Sequence, residues 1–476
     1  MSQFRKDFIS GVAYTSIAKY TGIFISLIIT FILARLLCPE DFGVLALVTV
    51  IIGFINQVTN LGLHSAIIQT DILSQRDLRS LFSLTMAVGA IASLILFFCA
   101  SQIAVYYSND KLINVVRILS CTMFFTAVNT VPSALLMREK KFKKIAIRQL
   151  FIQVLSGVIG IMLAFLGFGL YALVAQAIVT AAGTFLFNYI QYPIKLFSSI
   201  KVESIRKIFS YSAYQFLAGL FIYFTRNIDK PLVGRYLSLN ALGYYDKSFH
   251  LMTLPVSNLA YVIGPVMQPL FKDFRHDSSR MFQKYGTLLK FMSIISLPLS
   301  AYLFLSAYDL ILLLYGNQWG EAVEPFQYLS LSIGLQILLS ISGPIFLANG
   351  NSKLSFINCL VEFSITMLSL VFGLSFRSLN GVALSVSFGV LFRFVYIYYM
   401  LCHTIFEVSI MDLLRILIPS VFACICCMVV LLLANWLLAD ANQILRLLIF
   451  TLLSGLVIMA FLNRENLLTL KIFAQK

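Results

Sequence analysis

Acidic side chains are scarce in this chain. Twenty Asp and Glu stand against 35 Lys and Arg, and charged residues make up only 12% of its 476 positions. A soluble domain carries about twice that fraction, so a soluble globular fold is excluded. Histidine is limited to His64, His250, His276 and His403, too dispersed for an HExxH-type zinc site. The eight cysteines show no CxxC metal pattern and no disulfide framework; the lone Cys424/Cys427 spacing falls inside an apolar run, as most of the others do, where they read as small filler residues. No Gly-x4-Gly-Lys-Ser/Thr loop is present, so ATP is not bound in that way. No catalytic constellation appears, and neither a metal nor a cofactor is expected. The N-terminal stretch MSQFRKDFISGVAY lacks a short apolar core followed by a cleavage site, and it reads as uncleaved.

Hydrophobic residues are abundant: 60% of the chain, with a mean hydropathy of +0.91. Apolar runs long enough to cross a bilayer recur from end to end. They are continuous rather than alternating, which excludes a β-barrel. The chain therefore reads as an all-α polytopic membrane protein with about fourteen spans. Its net charge of +15 gathers in alternate connections, so it marks topology rather than nucleic-acid binding. That bias predicts both termini in the cytoplasm. Arg138–Arg148, Val202–Ser210 and Phe271–Gly286 read as basic amphipathic segments on the inner surface, in contact with phospholipid or with a cytoplasmic enzyme.

An internal repeat organises the spans. ARLLCPEDFGVLAL from Ala34 aligns with GRYLSLNALGYYDK from Gly234, matching Arg35 to Arg235 and Gly43 to Gly243 at an offset of 200. Pro132 matches Pro344 and Gly169 matches Gly381 at an offset of 212. The repeat covers six spans, an even number, so the two copies share one membrane orientation, as parallel repeats do. The expected division is a lobe over 1–200, a second over 201–405, and two further helices over 406–476. Two such lobes suit alternating access, with Pro255, Pro265 and Pro298 as hinge candidates.

Polar residues inside the spans are the candidate site. Thr15, Lys19, Gly22, Ser26 and Thr30 form one stripe on the first helix. Thr49, Gly53, Asn56, Asn60 and His64 form another on the second. Reflection through the turn at Pro39 sets Lys19 and Asn60 at similar depth. Such stripes serve either as packing seams or as a binding surface. In the second copy Arg226, Asp229, Lys230 and Val233 are expected on one face, with Asp229 level with His250. A structural ion pair and an ion or proton relay both fit these groups. Glu362 and Arg393 are equidistant from the turn at Arg377 and should meet, either as a fixed bridge or as a pair that breaks during transport.

Several motifs carry a family resemblance. They are ARLLCPEDFGV (Ala34 to Val44), Asn60-Leu-Gly-Leu63, AIIQ (Ala66 to Gln69), the Pro132/Leu136/Arg138/Phe142/Lys143 set, LGYY (Leu242 to Tyr245) and PIFLANGNSK (Pro344 to Lys353). With these the chain resembles bacterial polysaccharide flippases. It is especially similar to the colanic and teichuronic acid exporter branch of the multidrug/oligosaccharidyl-lipid/polysaccharide superfamily. The resemblance implies twelve core helices in two lobes plus two more. It also implies flipping of undecaprenyl-diphosphate-linked oligosaccharide across the cytoplasmic membrane, coupled to an ion gradient, for surface polysaccharide synthesis. A polysaccharide polymerase or glycosyltransferases are the partners it suggests, besides membrane lipids. Lys19, Asn56, Asn60, Arg226, Lys230 and Arg393 are then lumen candidates for substrate. Asp229, His250 and Glu362 are candidates for ion coupling. The alternatives are a drug or cation antiporter of the same superfamily and, behind it, an envelope glycan polymerase or ligase.

Overall fold

The computed structural model describes residues 3–60, 63–69, 73–194, 219–275, 277–349 and 352–467. Regular structure among them is helical. A bilayer core offers backbone groups no water, so spanning segments satisfy them internally as helices. The helices are α1 (Gln3–Leu36), α2 (Pro39–Asn60), α3 (Leu63–Gln69), α4 (Gln75–Phe98), α5 (Ala100–Tyr107), α6 (Lys111–Arg138), α7 (Phe142–Phe165) and α8 (Leu170–Gln191). Then come α9, described over 219–227, α10 (Asp229–Tyr236), α11 (Leu239–Lys272), α12 (Ser278–Leu305), α13 (Ala307–Tyr315) and a 3-10 turn (Asn317–Ala322). The series closes with α14 (Val323–Ser330), α15 (Ile333–Ser340), α16 (Gly343–Ala348), α17 (Ser352–Ser375), α18 (Leu379–Leu401), α19 (Ile410–Leu437) and α20 (Gln443–Arg464).

Eleven of the described helices are long and apolar enough to cross a membrane. The count is up to twelve if the segments from Asn317 to Ala348, bent by 49°, form one span. The expected seventh span is described only from 219, and the expected surface segment Val202–Ser210 lies outside the described residues. Two compact units divide the chain, Met1–Gly243 and Tyr244–Lys476. One succession of elements occurs twice. A long helix breaks into a short one at Cys99 (α4 to α5) and again at Ser306 (α12 to α13). In the first copy the next helix, α6, is continuous through Pro132. Its counterpart is split into the 3-10 turn and α14–α16.

In the first unit, α3 lies in a stretch that reads as a connection in the sequence. It buries Leu63, Ala66 and Ile67 against Leu81 and Phe82 of α4 and Val128 and Val131 of α6. Ser74 closes the start of α4 with a reciprocal capping box to Asp77, satisfying two amides the helix cannot reach. At the Cys38 end, α2 and the first turn of α11 meet backbone to backbone. A Cβ placed on Gly43 would fall 1.8 Å from the Leu239 carbonyl oxygen, and one on Gly243 would fall 1.9 Å from that of Pro39. Exchanging 39 with 239 and 43 with 243 turns one contact into the other. This is the sequence offset of 200 seen as a local two-fold.

In the second unit the core forms around Tyr285, Tyr398 and Phe406, all fully buried, where α12, α15, α18 and the turn after α18 converge. Tyr285 donates to the Tyr398 hydroxyl (3.0 Å), and Tyr398 donates to the Leu338 carbonyl (2.9 Å). Buried phenols need such partners. The α19–α20 hairpin is fixed to α12 and α13 by four polar contacts. Lys290 pairs with Glu465, Ser293 meets Ser420 at 2.5 Å, Tyr302 meets Thr451 at 3.0 Å, and Arg446 lies 3.6 Å from Asp309. Pro298 sits within α12, its carbonyl approached by the Cys427 thiol of α19. The outward faces of α18 to α20 are apolar, with Phe392, Leu433 and Leu452 exposed, as lipid-facing surfaces require.

Candidate functional site

In the first unit the polar stripes of α1 and α2 are revealed as seams at their glycines. Gly22 of α1 accepts Gln153 of α7 at its carbonyl (2.6 Å), and a Cβ there would press on that same side chain. One heptad on, Ile29 fills the space over Gly157. On α2, Gly53 makes room for Tyr223 of α9, whose hydroxyl donates to the Val50 carbonyl (2.5 Å). Gly219 of α9 receives Gln57. Asn56 lies beside this seam with a buried amide oxygen that has no hydrogen-bond partner among the described residues. Lys19 is half-buried. Asn60 closes α2, but its side chain lies outside the described residues.

The expected single face of Arg226, Asp229, Lys230 and Val233 is not kept. The helix breaks at Ile228, and α10 starts with Asp229 in its first turn. Asp229 and Val233 are buried, Lys230 is half-buried and Arg226 is exposed. Ile228 itself keeps helical dihedrals, and the four residues differ in burial rather than sharing one environment. The break sets the Asp229 carboxylate at a helix N-terminus, where it accepts the Lys230 amide (2.9 Å) and the helix dipole favours its charge. Asp229 ends the first unit's polar run, while His250, exposed on α11, belongs to the second unit.

The second unit brings Glu362 of α17 and Arg393 of α18 together, Oε2 to Nη2, at 3.3 Å. The Arg393 Nε is buried without a partner among the described residues. Beside the pair, Ile365, Leu368, Phe372, Phe392, Val395 and Tyr399 line a groove of about 630 Å3. Asp309 of α13 and Arg446, in the first turn of α20, form a second acid–base pair, with the Asp309 side chain only 4% exposed. The sequence reads Asp309 as part of a connection and Arg446 as the start of the last apolar run. Their signal was present: an acid and a base on neighbouring apolar segments, each flanked by leucine and isoleucine.

A third polar set was read in part: the segment Arg138–Arg148 was expected at the inner surface, but its partners on α6 and α8 were not. Arg148 of α7 donates to the Asn188 amide oxygen of α8 (2.7 Å), and Asn188 donates to Asn129 of α6 (2.7 Å). One turn earlier, Lys144 donates to Gln191 of α8 (2.5 Å). At the membrane edge Glu139, Lys141 and Tyr192 form a closed cluster. Hydrogen bonds from Lys141, and then from Tyr192, hold the Glu139 carboxyl below its usual range.

These features define a class: a multi-pass helical membrane protein whose polar groups line helix faces within the spans. The chain belongs to the polysaccharide biosynthesis protein family, whose model matches residues 32–324. Among its relatives is the teichuronic acid biosynthesis protein TuaB of Bacillus subtilis (strain 168), 23% identical over 75% of this chain and 74% of TuaB. Another is the succinoglycan biosynthesis transport protein ExoT of Rhizobium meliloti (strain 1021), 27% identical over 67% of this chain and 65% of ExoT. Among solved structures, the lipid II flippase MurJ in an inward closed conformation is similar in fold. Its TM-score is 0.77 at 16% identity, covering 96% of this chain and 100% of that one.

Proposed function

We propose that this protein flips undecaprenyl-diphosphate-linked oligosaccharide from the cytoplasmic to the outer leaflet of the inner membrane, by alternating access driven by an ion gradient. Membership of the polysaccharide biosynthesis family over residues 32–324 carries the reading. The fold it shares with a lipid II flippase supports it, including the last two helices, which drug antiporters of the superfamily generally lack. Both termini lie in the cytoplasm on this reading, as the Lys and Arg distribution implies. Lobes over 1–200 and 201–405, with a hairpin over 406–476, move against each other.

Lys19, Asn56, Asn60, Arg226 and Lys230 in the first unit and Arg393 in the second are the proposed substrate contacts. Asp229, His250 and Glu362 are the proposed ion-coupling groups. A polymerase and glycosyltransferases act before and after it. Deletion should accumulate lipid-linked repeat units on the cytoplasmic leaflet. Normal surface glycan without that accumulation, in a strain with no second exporter, refutes the reading. Asp229→Asn should lower ion-dependent transport more than it lowers the amount of folded protein. Equal losses of both would return Asp229 to a structural role.

A further inference from the structure

Arg148 and Lys144 of α7 differ from two other cations on spanning helices. Arg393 and Arg446 each face a carboxylate. The side-chain hydrogen-bond acceptors of Arg148 and Lys144 are amides, Asn188 and Gln191. Charged side chains within spans are costly and are normally paired or functional. The acid of this corner, Glu139, is already engaged by Lys141 and Tyr192, although its field reaches Lys144.

Lys144 and Arg148 are i, i+4 neighbours, so they project from one face of α7 with Cβ atoms about 6 Å apart. Their acceptors are i, i+3 neighbours on the antiparallel α8. Asn188 is completely buried and is itself held by Asn129, so the guanidinium is fixed from behind. Asn188 engages one Nη1 proton, which leaves several of the five guanidinium donors for a bidentate anion. Arg148 lies about 9 Å along α7 from its first residue and is half-buried, while Lys144, in the first turn, is exposed.

We infer that Lys144 and Arg148, braced by Gln191 and Asn188, form a lipid-phosphate site that takes the diphosphate of the polyprenyl-linked substrate as it enters from the cytoplasmic leaflet. The assignment of that ligand rests on the proposed flippase function. The amides serve as positioning residues that hold the cations without quenching them. Substrate phosphates then exchange water for fixed donors in a low-dielectric setting, where each contact is worth more than at the surface.

The test titrates the purified full-length chain in detergent with three probes: undecaprenyl diphosphate, undecaprenol and dioleoyl phosphatidylglycerol. Arg148→Gln should weaken undecaprenyl diphosphate binding about tenfold, the worth of one charge-assisted hydrogen bond. Asn188→Asp changes the side chain from amide to carboxylate at nearly constant shape and pairs Arg148 internally, so it should reproduce that loss, with Asn129 turning its amide to donate to the new carboxylate and the helical circular dichroism retained. Arg148→Lys should recover part of the binding, and undecaprenol binding should not respond to any variant. A wild-type chain that binds undecaprenyl diphosphate, with neither variant altering it, overturns the site and leaves the flippase reading standing. Loss confined to phosphatidylglycerol, in a chain that also binds the diphosphate, makes the ligand a bulk phospholipid and overturns the entry role. A wild-type chain that binds phosphatidylglycerol through Arg148 but no polyprenyl diphosphate overturns the flippase reading and leaves the lipid-phosphate site in place.

Discussion

Gly243→Ala should prise α2 away from the first turn of α11. The added Cβ would fall 1.9 Å from the Pro39 carbonyl oxygen, and the obstacle is backbone, which cannot rotate aside as a side chain does. Ordinary contact between carbon and oxygen needs more than 3 Å, so the two helices must separate by over an ångström or the contact is lost. Overpacking of this kind costs about 1–3 kcal/mol. If the contact exists in one of two interconverting states, that cost shifts their ratio about 5- to 150-fold. Cys38 is exposed one residue before α2 and offers a native reporter. Its labelling by a membrane-impermeant maleimide, read by peptide mass spectrometry, should accelerate several-fold in Gly243→Ala. Gly183→Ala is the control, since its nearest neighbour is 3.5 Å away and a helical Gly→Ala change gains about 1 kcal/mol of propensity. An unchanged Cys38 rate together with an unchanged melting temperature in Gly243→Ala would refute the reasoning that a methyl group cannot fit at this backbone contact.

Asp309→Ala should lower the melting temperature sharply, because it leaves Arg446 buried without its carboxylate, a loss of about 3 kcal/mol. The double variant Asp309→Leu/Arg446→Leu should recover most of it, and failure to recover in a thermal melt would count against the pair as the cause. Glu362→Gln removes the charge facing Arg393 while keeping its shape. Transport in proteoliposomes should fall more than protein abundance if the pair opens during the cycle, and equally if it only fastens α17 to α18.

The sequence predicted some contacts well and others poorly, for physical reasons. Glu362 and Arg393 were legible because two straight helices joined by a tight turn act as a mirror: equal distance from Arg377 means equal depth. The equivalence of Gly43 and Gly243 was legible as a repeat, because a turn followed by glycine leaves a fixed spacing, but their contact was not. Arg148 was not. It closes a run of basic residues that reads as a surface segment, and α7 opens at Phe142 without a side-chain cap to mark its start. With the helix starting at Phe142, Arg148 falls in its second turn and meets Asn188 of α8. Asp309 was missed because the break at Ser306 hides a short helix, α13, within an apparent loop. Arg226 and Asp229 differ in another way: one is exposed and the other buried, which spacing along a helix does not encode.

The contact between Gly43 and Gly243 has the geometry of a homodimer interface folded into one chain. In a symmetric pair of identical subunits, residue i meets residue j while j meets i, and one substitution appears twice, on both sides of the axis. Joining the two copies end to end releases that constraint, and each half can then vary by itself. Elsewhere they have done so: a continuous α6 faces a fragmented α14–α16, and Asp229 stands where its counterpart is Ile29. On the axis, independence is nominal. Each glycine is required by a carbonyl of the other copy, so the two positions remain one site, and any drift there must happen in both halves at once.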